Sequence, residues 1–184
     1  MATTDAVIEA LYNIPENGKA EIIDGEVIRL SPTGAGPGRA AGRIASDLSH
    51  HEDGHGGGYA FGGNVGFLVN LPGRKSFSPD AAWYTGPLPS EDLDFLPGAP
   101  AFAVEVRSKN DYGPKAERAI AQKIADYFAA GTQVVWDVDL LGIDIIRSYR
   151  ASVQNTPLVF RRDDTADAEP AIPGWTMPVN TLFR

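Results

Sequence analysis

The sequence predicts an α/β (α+β) fold in which a mixed central β-sheet is flanked by helices. Two observations carry this. The elements follow the order helix, hairpin, helix, strands, helix, strands. Within that order, the strand around Glu105, the helix around Lys123 and the strand around Trp136 have the length and sequence of a parallel βαβ crossover. With 184 residues, 43% of them hydrophobic, the chain can bury one substantial core, so one domain is expected over residues 1–184.

Taken in order, Val7, Ile8 and Leu11 have helical spacing between Asp5 and Tyr12, and Ile14-Pro15-Glu16-Asn17-Gly18 ends that helix. Ala20 to Ile23 and Glu26 to Leu30 are β-prone runs joined by Asp24-Gly25, the dipeptide suited to a type I′ hairpin turn. Ser31 to Gly38 reads as a Gly/Pro-rich connection. Ile44 and Leu48, four apart, mark a second helix from Arg39 to His51. Strands are expected over Tyr59 to Leu71 and Ser78 to Tyr84, with a turn at Pro72-Gly73, and an acidic loop over Pro87 to Pro100. Phe102, Val104 and Val106 alternate with Ala103, Glu105 and Arg107, giving a strand with one bulky apolar face. A helix from about Lys115 to Ala130 then closes on Gly131. Val134 to Val138 and Ile143 to Tyr149 are strands around a Leu141-Gly142 turn, and Asp163 to Glu169 reads as a loop before the Pro173-Gly174-Trp175 turn.

Composition narrows the chemistry. Without cysteine, the chain has no disulfide, thiolate zinc site or cysteine nucleophile, which fits a reducing cytoplasm. Any metal must be held by oxygen or imidazole. Met1 to Tyr12 has no basic stretch leading into an apolar core, and no apolar run nears the roughly 18 residues that span a bilayer, so neither export nor membrane insertion is expected. The net charge of -8 and pI of about 4.8 deny the whole molecule the basic field of most nucleic-acid binders. Clustered carboxylates binding divalent cations would offset part of that excess.

Three residues stand out as a catalytic set, each with a plainer alternative. Asp80 follows Pro79 at the head of a β-prone run, where a turn-capping role is the ordinary one. Glu105 lies within the apolar strand Phe102-Ala103-Val104-Glu105-Val106, where a carboxylate is costly unless it meets a cation or donors. Its plainer reading is an exposed strand face, against which Ala101 and Ala103, its neighbours at alternate positions, suggest a covered one. Lys123 sits at the edge of the apolar stripe formed by Ile120, Ile124, Tyr127 and Phe128, either snorkelling outward or paired with acids. Together, two carboxylates on adjacent strands would hold Mg²⁺ or Mn²⁺ through oxygen and leave positions for water and a phosphate oxygen. A lysine beside them would orient the water or stabilise charge developing on phosphorus.

Glu21-Ile22-Ile23-Asp24-Gly25-Glu26, Ser78-Pro79-Asp80, Val104-Glu105-Val106-Arg107-Ser108 with Asp111, and Lys123 followed by Tyr127, Gly131 and Trp136 resemble the pattern of the Uma2 family. That family lies in the PD-(D/E)xK, restriction endonuclease-like superfamily. The resemblance runs from about Ala20 to Leu182-Phe183; its motifs are short, but their order is specific. It implies a restriction endonuclease-like core, an endonuclease acting on DNA, and Asp80 and Glu105 as metal ligands. It also implies that the catalytic lysine has moved from the strand to the helix, at Lys123. The usual lysine position holds Arg107, which stays charged and is suited to binding phosphate rather than to a base-like role. Glu21 matches an acidic position of the family and is a candidate third ligand; taken alone it is an ordinary strand-end glutamate.

Arg39 and Arg43, four apart on one helix, with Lys109 and Lys115 beside the catalytic strand and helix, are candidate phosphate contacts, scattered surface charge being the alternative. His50, His51 and His55 fit neither an HExxH helix nor a zinc-finger pair and read as a solvated loop. Gly54 to Gly63 lacks the order of a phosphate-cradling P-loop. A homodimer is compatible with cutting two strands. Two rival readings remain: a non-catalytic binding or assembly module on a nuclease fold, and a metal phosphoesterase for RNA or small nucleotides.

Overall fold

The computed structural model describes residues 4–15 and 18–183; the Glu16-Asn17 part of the expected first turn lies outside them. In chain order the elements are α1 (Thr4–Tyr12), β1 (Ala20–Ile23), β2 (Glu26–Arg29), α2 (Ala35–His55), β3 (Tyr59–Gly62), β4 (Phe67–Leu68), β5 (Ser76–Phe77), β6 (Ala81–Tyr84), β7 (Leu96–Pro97), β8 (Phe102–Val106), α3 (Pro114–Ala129), β9 (Val134–Val138), β10 (Ile146–Arg150), β11 (Val153–Phe160), β12 (Thr165–Asp167) and β13 (Thr176–Pro178), followed by a 3₁₀ turn over Val179–Phe183.

The central sheet has the order β11-β10-β9-β8-β6-β3. Only β8 and β9 run parallel, with Phe102 facing Val134 and Glu105 facing Asp137; β6, β10, β11 and β3 pair antiparallel. The sheet is therefore mixed, as expected, and its parallel pair is the one that α3 connects.

Alternation along β8 divides its side chains between two cores. Phe102, Val104 and Val106 join Trp136, Val138 and the buried stripe Ala40, Ile44 and Leu48 of α2. The Phe102 and Trp136 rings meet edge to face at 5.0 Å, and Trp175 closes over both. On the other face, Ala103 and Val135 pack with Ile124 and Tyr127 of α3 and with Phe67 and Phe77. Small Ala103 lets α3 approach the sheet, and the next residue on that face is Glu105. The strand pattern thus places one carboxylate directly beneath the helix that carries Lys123.

Turn chemistry fixes the pieces that border this point. Asp24 and Gly25 both have positive φ, 51° and 80°, the type I′ geometry expected between β1 and β2. The resulting hairpin packs Ala20 and Ile22 on Val7 and Leu11 of α1. At the end of α3, Gly131 takes φ 106°; its N–H donates to Phe128 and that of Thr132 to Tyr127, the paired bonds of a Schellman motif.

Several expectations are corrected. The strand over Tyr59 to Leu71 is two strands in different sheets: β4 pairs with β5 and β7 in a small three-stranded sheet. Gly62, Gly63 and Asn64, the last with φ 74°, turn the chain between them. The Ser78 to Tyr84 strand begins only at Ala81, because Pro79 has no N–H to give and the Asp80 side chain takes up the pairing instead. Helix α2 begins within the supposed Gly/Pro connection, since proline is tolerated in a first turn, and continues through the supposed histidine loop to His55. His51 and His55 stack one turn apart at 4.4 Å, and His51 packs edge-on against Trp83. The Pro87 to Pro100 loop contains β7 and the acidic Asp163 to Glu169 loop contains β12, while the strand expected from Ile143 starts at Ile146. Strand β11 was not anticipated; on the open edge of the sheet most of its residues are exposed, so it lacks an alternating pattern.

Candidate active site

Asp80 stands where β6 joins β8. Its backbone N–H donates to the Val104 carbonyl at 2.9 Å, and its carboxylate Oδ2 accepts the N–H of Val106 at 2.8 Å. The side chain thus brackets Glu105 and replaces the backbone acceptor that an ordinary ladder would supply. Its other oxygen, Oδ1, takes the Lys19 ammonium at 2.7 Å.

Glu105 projects from β8 toward α3, and its Oε1 receives two donors: the Lys123 ammonium at 2.8 Å and the Tyr127 hydroxyl at 2.6 Å. Lys123 and Tyr127 lie one helical turn apart, so one face of α3 delivers both. The buried Tyr127 ring stacks on Phe77 with centroids 3.9 Å apart, which fixes where its hydroxyl can reach. Lys123 is not snorkelling. Its side chain is 18% exposed and its ammonium also meets Glu21 Oε1 at 2.9 Å.

Glu21, in β1, is the most enclosed acid of the group, with a side chain 2% exposed. Besides Lys123 it accepts the Ser78 N–H at 2.9 Å on Oε1 and the Arg74 guanidinium at 2.7 Å on Oε2. Arg74 in turn binds Asp126 of α3 at 2.8 Å and lies over the Phe77 ring. Glu21 therefore ties the hairpin to α3 and to the segment leading into Asp80. Its oxygens accept Lys123, Ser78 and Arg74, and through these contacts Glu21 braces Lys123.

The electrostatics follow from this packing. Burial drives the Glu105 proton affinity above the ordinary carboxylate range; Lys123 opposes the rise, while the nearby anions Asp80 and Glu21 reinforce it. Burial also pushes Glu21 upward, but Lys123, Arg74 and the Ser78 N–H overcome it and hold Glu21 below its usual value. Lys123 is raised above the ordinary lysine value: desolvation disfavours its charge, yet Glu105 and Glu21 outweigh that cost. Both members of the Glu105–Lys123 pair shift upward. This is consistent because Glu105 faces two further acids, whereas Lys123 faces acids alone. Tyr127 is pushed well above its ordinary value by burial and then by Glu105 and Glu21, so it remains a hydrogen-bond donor.

Arg107 is drawn into a different network. Its guanidinium, 5% exposed, grips both oxygens of Asp137 at 2.7 Å and pairs with Glu117 at the start of α3. It joins the end of β8 to β9 and α3. Lys109 is exposed in the β8–α3 connection, and Arg39 is exposed on α2, the helix covering the opposite face of the sheet from α3. Arg43, also on α2, donates to the Thr181 carbonyl.

Mg²⁺ is commonly held by one or two carboxylates, with water completing its shell. Asp80 and Glu105 offer that donor chemistry: Glu105 Oε2 is engaged by neither Lys123 nor Tyr127, while the Asp80 oxygens accept Lys19 and the Val106 N–H. Among the described residues no group of three or more His, Asp or Glu is arranged around a common ion position. Also among the described residues, no helix is long and apolar enough to cross a membrane.

Lys19, Arg74 and Tyr127 complete the cluster, and none was singled out for a role in the site from sequence. For Tyr127 a signal existed, because it follows Lys123 by four residues on the same helix. Lys19 and Arg74 reach the site through hairpin and turn geometry that leaves no periodic trace.

A mixed sheet with Glu105 on its parallel strand pair, Asp80 ahead of the neighbouring antiparallel strand and a lysine on the connecting helix is the arrangement of a protein of nuclease fold. The chain aligns with the crystal structure of a putative nuclease belonging to DUF820 from Anabaena variabilis ATCC 29413, with a TM-score of 0.75, 18% sequence identity and 96% of each chain covered. Residues 7–180 match the Uma2 family, described as putative restriction endonuclease, and the chain belongs to that family. No curated protein matches it significantly.

Proposed function

We propose that this protein is a Mg²⁺- or Mn²⁺-dependent endonuclease hydrolysing DNA phosphodiester bonds, with Asp80 and Glu105 as metal ligands and Lys123 as the charge-stabilising group. The observation that supports this most strongly is the Lys123 ammonium held 2.8 Å from Glu105, on the strand that Asp80 brackets. A divalent ion bound there would polarise a phosphate oxygen and acidify an attacking water. Lys123 is too firmly protonated to accept a proton; it presents a fixed positive charge to the phosphoryl oxygens as charge builds on them. Glu21 and Tyr127 hold Lys123 and Glu105 in place, so little reorganisation accompanies substrate binding. Glu105 must be ionised to act as a ligand, and its raised proton affinity makes activity increase with pH over a range displaced upward from that of an ordinary carboxylate. Lys109 is offered as a surface contact to the DNA backbone, and cutting both strands of a duplex would engage two copies of the chain.

The test is incubation of purified protein with supercoiled plasmid, linear DNA, RNA and a chromogenic phosphodiester, with Mg²⁺, Mn²⁺ or chelator. Metal-dependent plasmid nicking that disappears in Asp80→Ala, Glu105→Ala and Lys123→Ala supports the proposal. Nicking that persists in all three refutes the assignment of the site. Cleavage of RNA or the chromogenic ester alone would move the substrate class.

A second reading, a non-catalytic binding module on the nuclease fold, is favoured by the commitment of Glu21 to ion pairs and by the net charge of -8. It predicts tight DNA binding with no cleavage under any metal.

A further inference from the structure

The two carboxylate oxygens of Asp80 have partners of different kinds. Oδ2 is fixed by the Val106 N–H at 2.8 Å, a donor belonging to the strand itself. Oδ1 is held by the ammonium of Lys19 at 2.7 Å, the end of a flexible side chain that is 23% exposed. Removing Lys19 would therefore leave the Asp80 carboxylate anchored. Lys123 differs, since two carboxylates hold it and both are fastened to other elements. Of the two ammonium groups at the site, Lys19 is the one free to exchange.

We propose that Lys19 is a further substrate-binding residue, held in reserve: it neutralises Asp80 in the resting protein, yields Oδ1 to an arriving divalent cation, and then binds a phosphate oxygen of the nucleic acid. The reasoning is electrostatic. A divalent ion and an ammonium on the same carboxylate repel each other, and the mobile partner gives way. The displaced ammonium remains charged beside the incoming phosphodiester, an anion it can pair with. Lys19 thus competes with the metal for Asp80 and cooperates with the substrate. This inference rests on Asp80 being a metal ligand.

Opposite signs in two binding measurements separate it from a purely structural role. Mn²⁺ binding is followed by titration calorimetry in the wild type, Lys19→Met, Lys19→Gln and Asp80→Asn. Binding of a fluorescein-labelled DNA duplex is followed by anisotropy, with Ca²⁺ as the divalent ion. Loss of a partly exposed ion-pair competitor predicts Mn²⁺ affinity about fivefold higher in both Lys19 variants, and loss of a phosphate contact predicts DNA affinity lower by a similar factor. Weaker or unchanged Mn²⁺ binding in folded Lys19→Gln would overturn the proposal while leaving the metal site intact, provided Asp80→Asn loses binding. Absence of Mn²⁺ binding in every protein, wild type included, would overturn both the proposal and the metal reading beneath it.

Discussion

Replacing Lys123 by methionine keeps the length of the side chain and removes its charge from between Glu21 and Glu105. Stripping one partner from a fully buried ion pair costs about 3–5 kcal/mol. Two features reduce that figure here. Glu21 keeps Arg74 and the Ser78 N–H, and Glu105 can escape its uncompensated charge by taking up a proton. We therefore expect a loss of about 2–3 kcal/mol at pH 8, within the range for breaking a partly compensated pair. The sign of the pH dependence follows from two groups. The Lys123 proton affinity is raised in the folded protein, so Lys123 stays charged between pH 5 and 8 and its own titration adds no pH dependence there. Glu105 is also raised, so ionising it opposes folding as pH climbs through its folded value, and more strongly once Lys123 is gone. The destabilisation caused by Lys123→Met should accordingly shrink at pH 5. Urea unfolding of both proteins at pH 5 and pH 8 measures this. Equal losses at the two pH values, or a loss below about 0.5 kcal/mol at pH 8, the usual effect of a surface substitution, would refute the coupling of these groups.

Tyr127→Phe keeps the ring on Phe77 and deletes the hydroxyl donated to Glu105, so a loss of about 1.5–3 kcal/mol in thermal or urea unfolding is expected, together with a shift of the acidic limb of activity to higher pH. Arg107→Lys breaks the two-pronged contact with Asp137; it should cost about 2 kcal/mol in stability and leave DNA affinity of the folded protein unchanged, whereas a large selective loss of DNA binding would restore Arg107 as a phosphate contact. Trp136→Ala empties the centre of the α2-facing core and should cost about 3–5 kcal/mol by urea denaturation. Gly25→Ala forces an alanine to φ 80° in the hairpin turn and should cost about 1 kcal/mol or more, visible as a lower melting temperature.

The sequence was most legible where local and tertiary demands agree. The βαβ unit could be read because Phe102, Val104 and Val106 alternate, the α3 stripe recurs at helical spacing, and Gly131 punctuates the helix end. Asp24-Gly25 marked its hairpin for a similarly local reason. The same periodicities put Glu105 on the covered face of β8 and Lys123 at the edge of the α3 stripe, and left open whether that lysine snorkels or pairs; in the folded chain it pairs. Legibility failed where long-range geometry decides. Nothing local to Arg74 or Lys19 indicates that turns bring them to Glu21 and Asp80. Arg107 carries a motif position but is captured by Asp137, thirty residues later, which alternation within β8 alone does not reveal. Glu21 meets Lys123 in the folded chain, and its partners Arg74 and Ser78 come from segments that nothing local to Glu21 indicates.

Under the proposed function, Asp80 and Glu105 share a divalent cation beside Lys123. Anomalous X-ray diffraction from crystals grown with Mn²⁺ tests this. A manganese peak is expected within about 2.5 Å of an oxygen from each carboxylate, with the Lys123 ammonium adjacent but uncoordinated. A peak elsewhere on the protein, or none at saturating Mn²⁺, would contradict it.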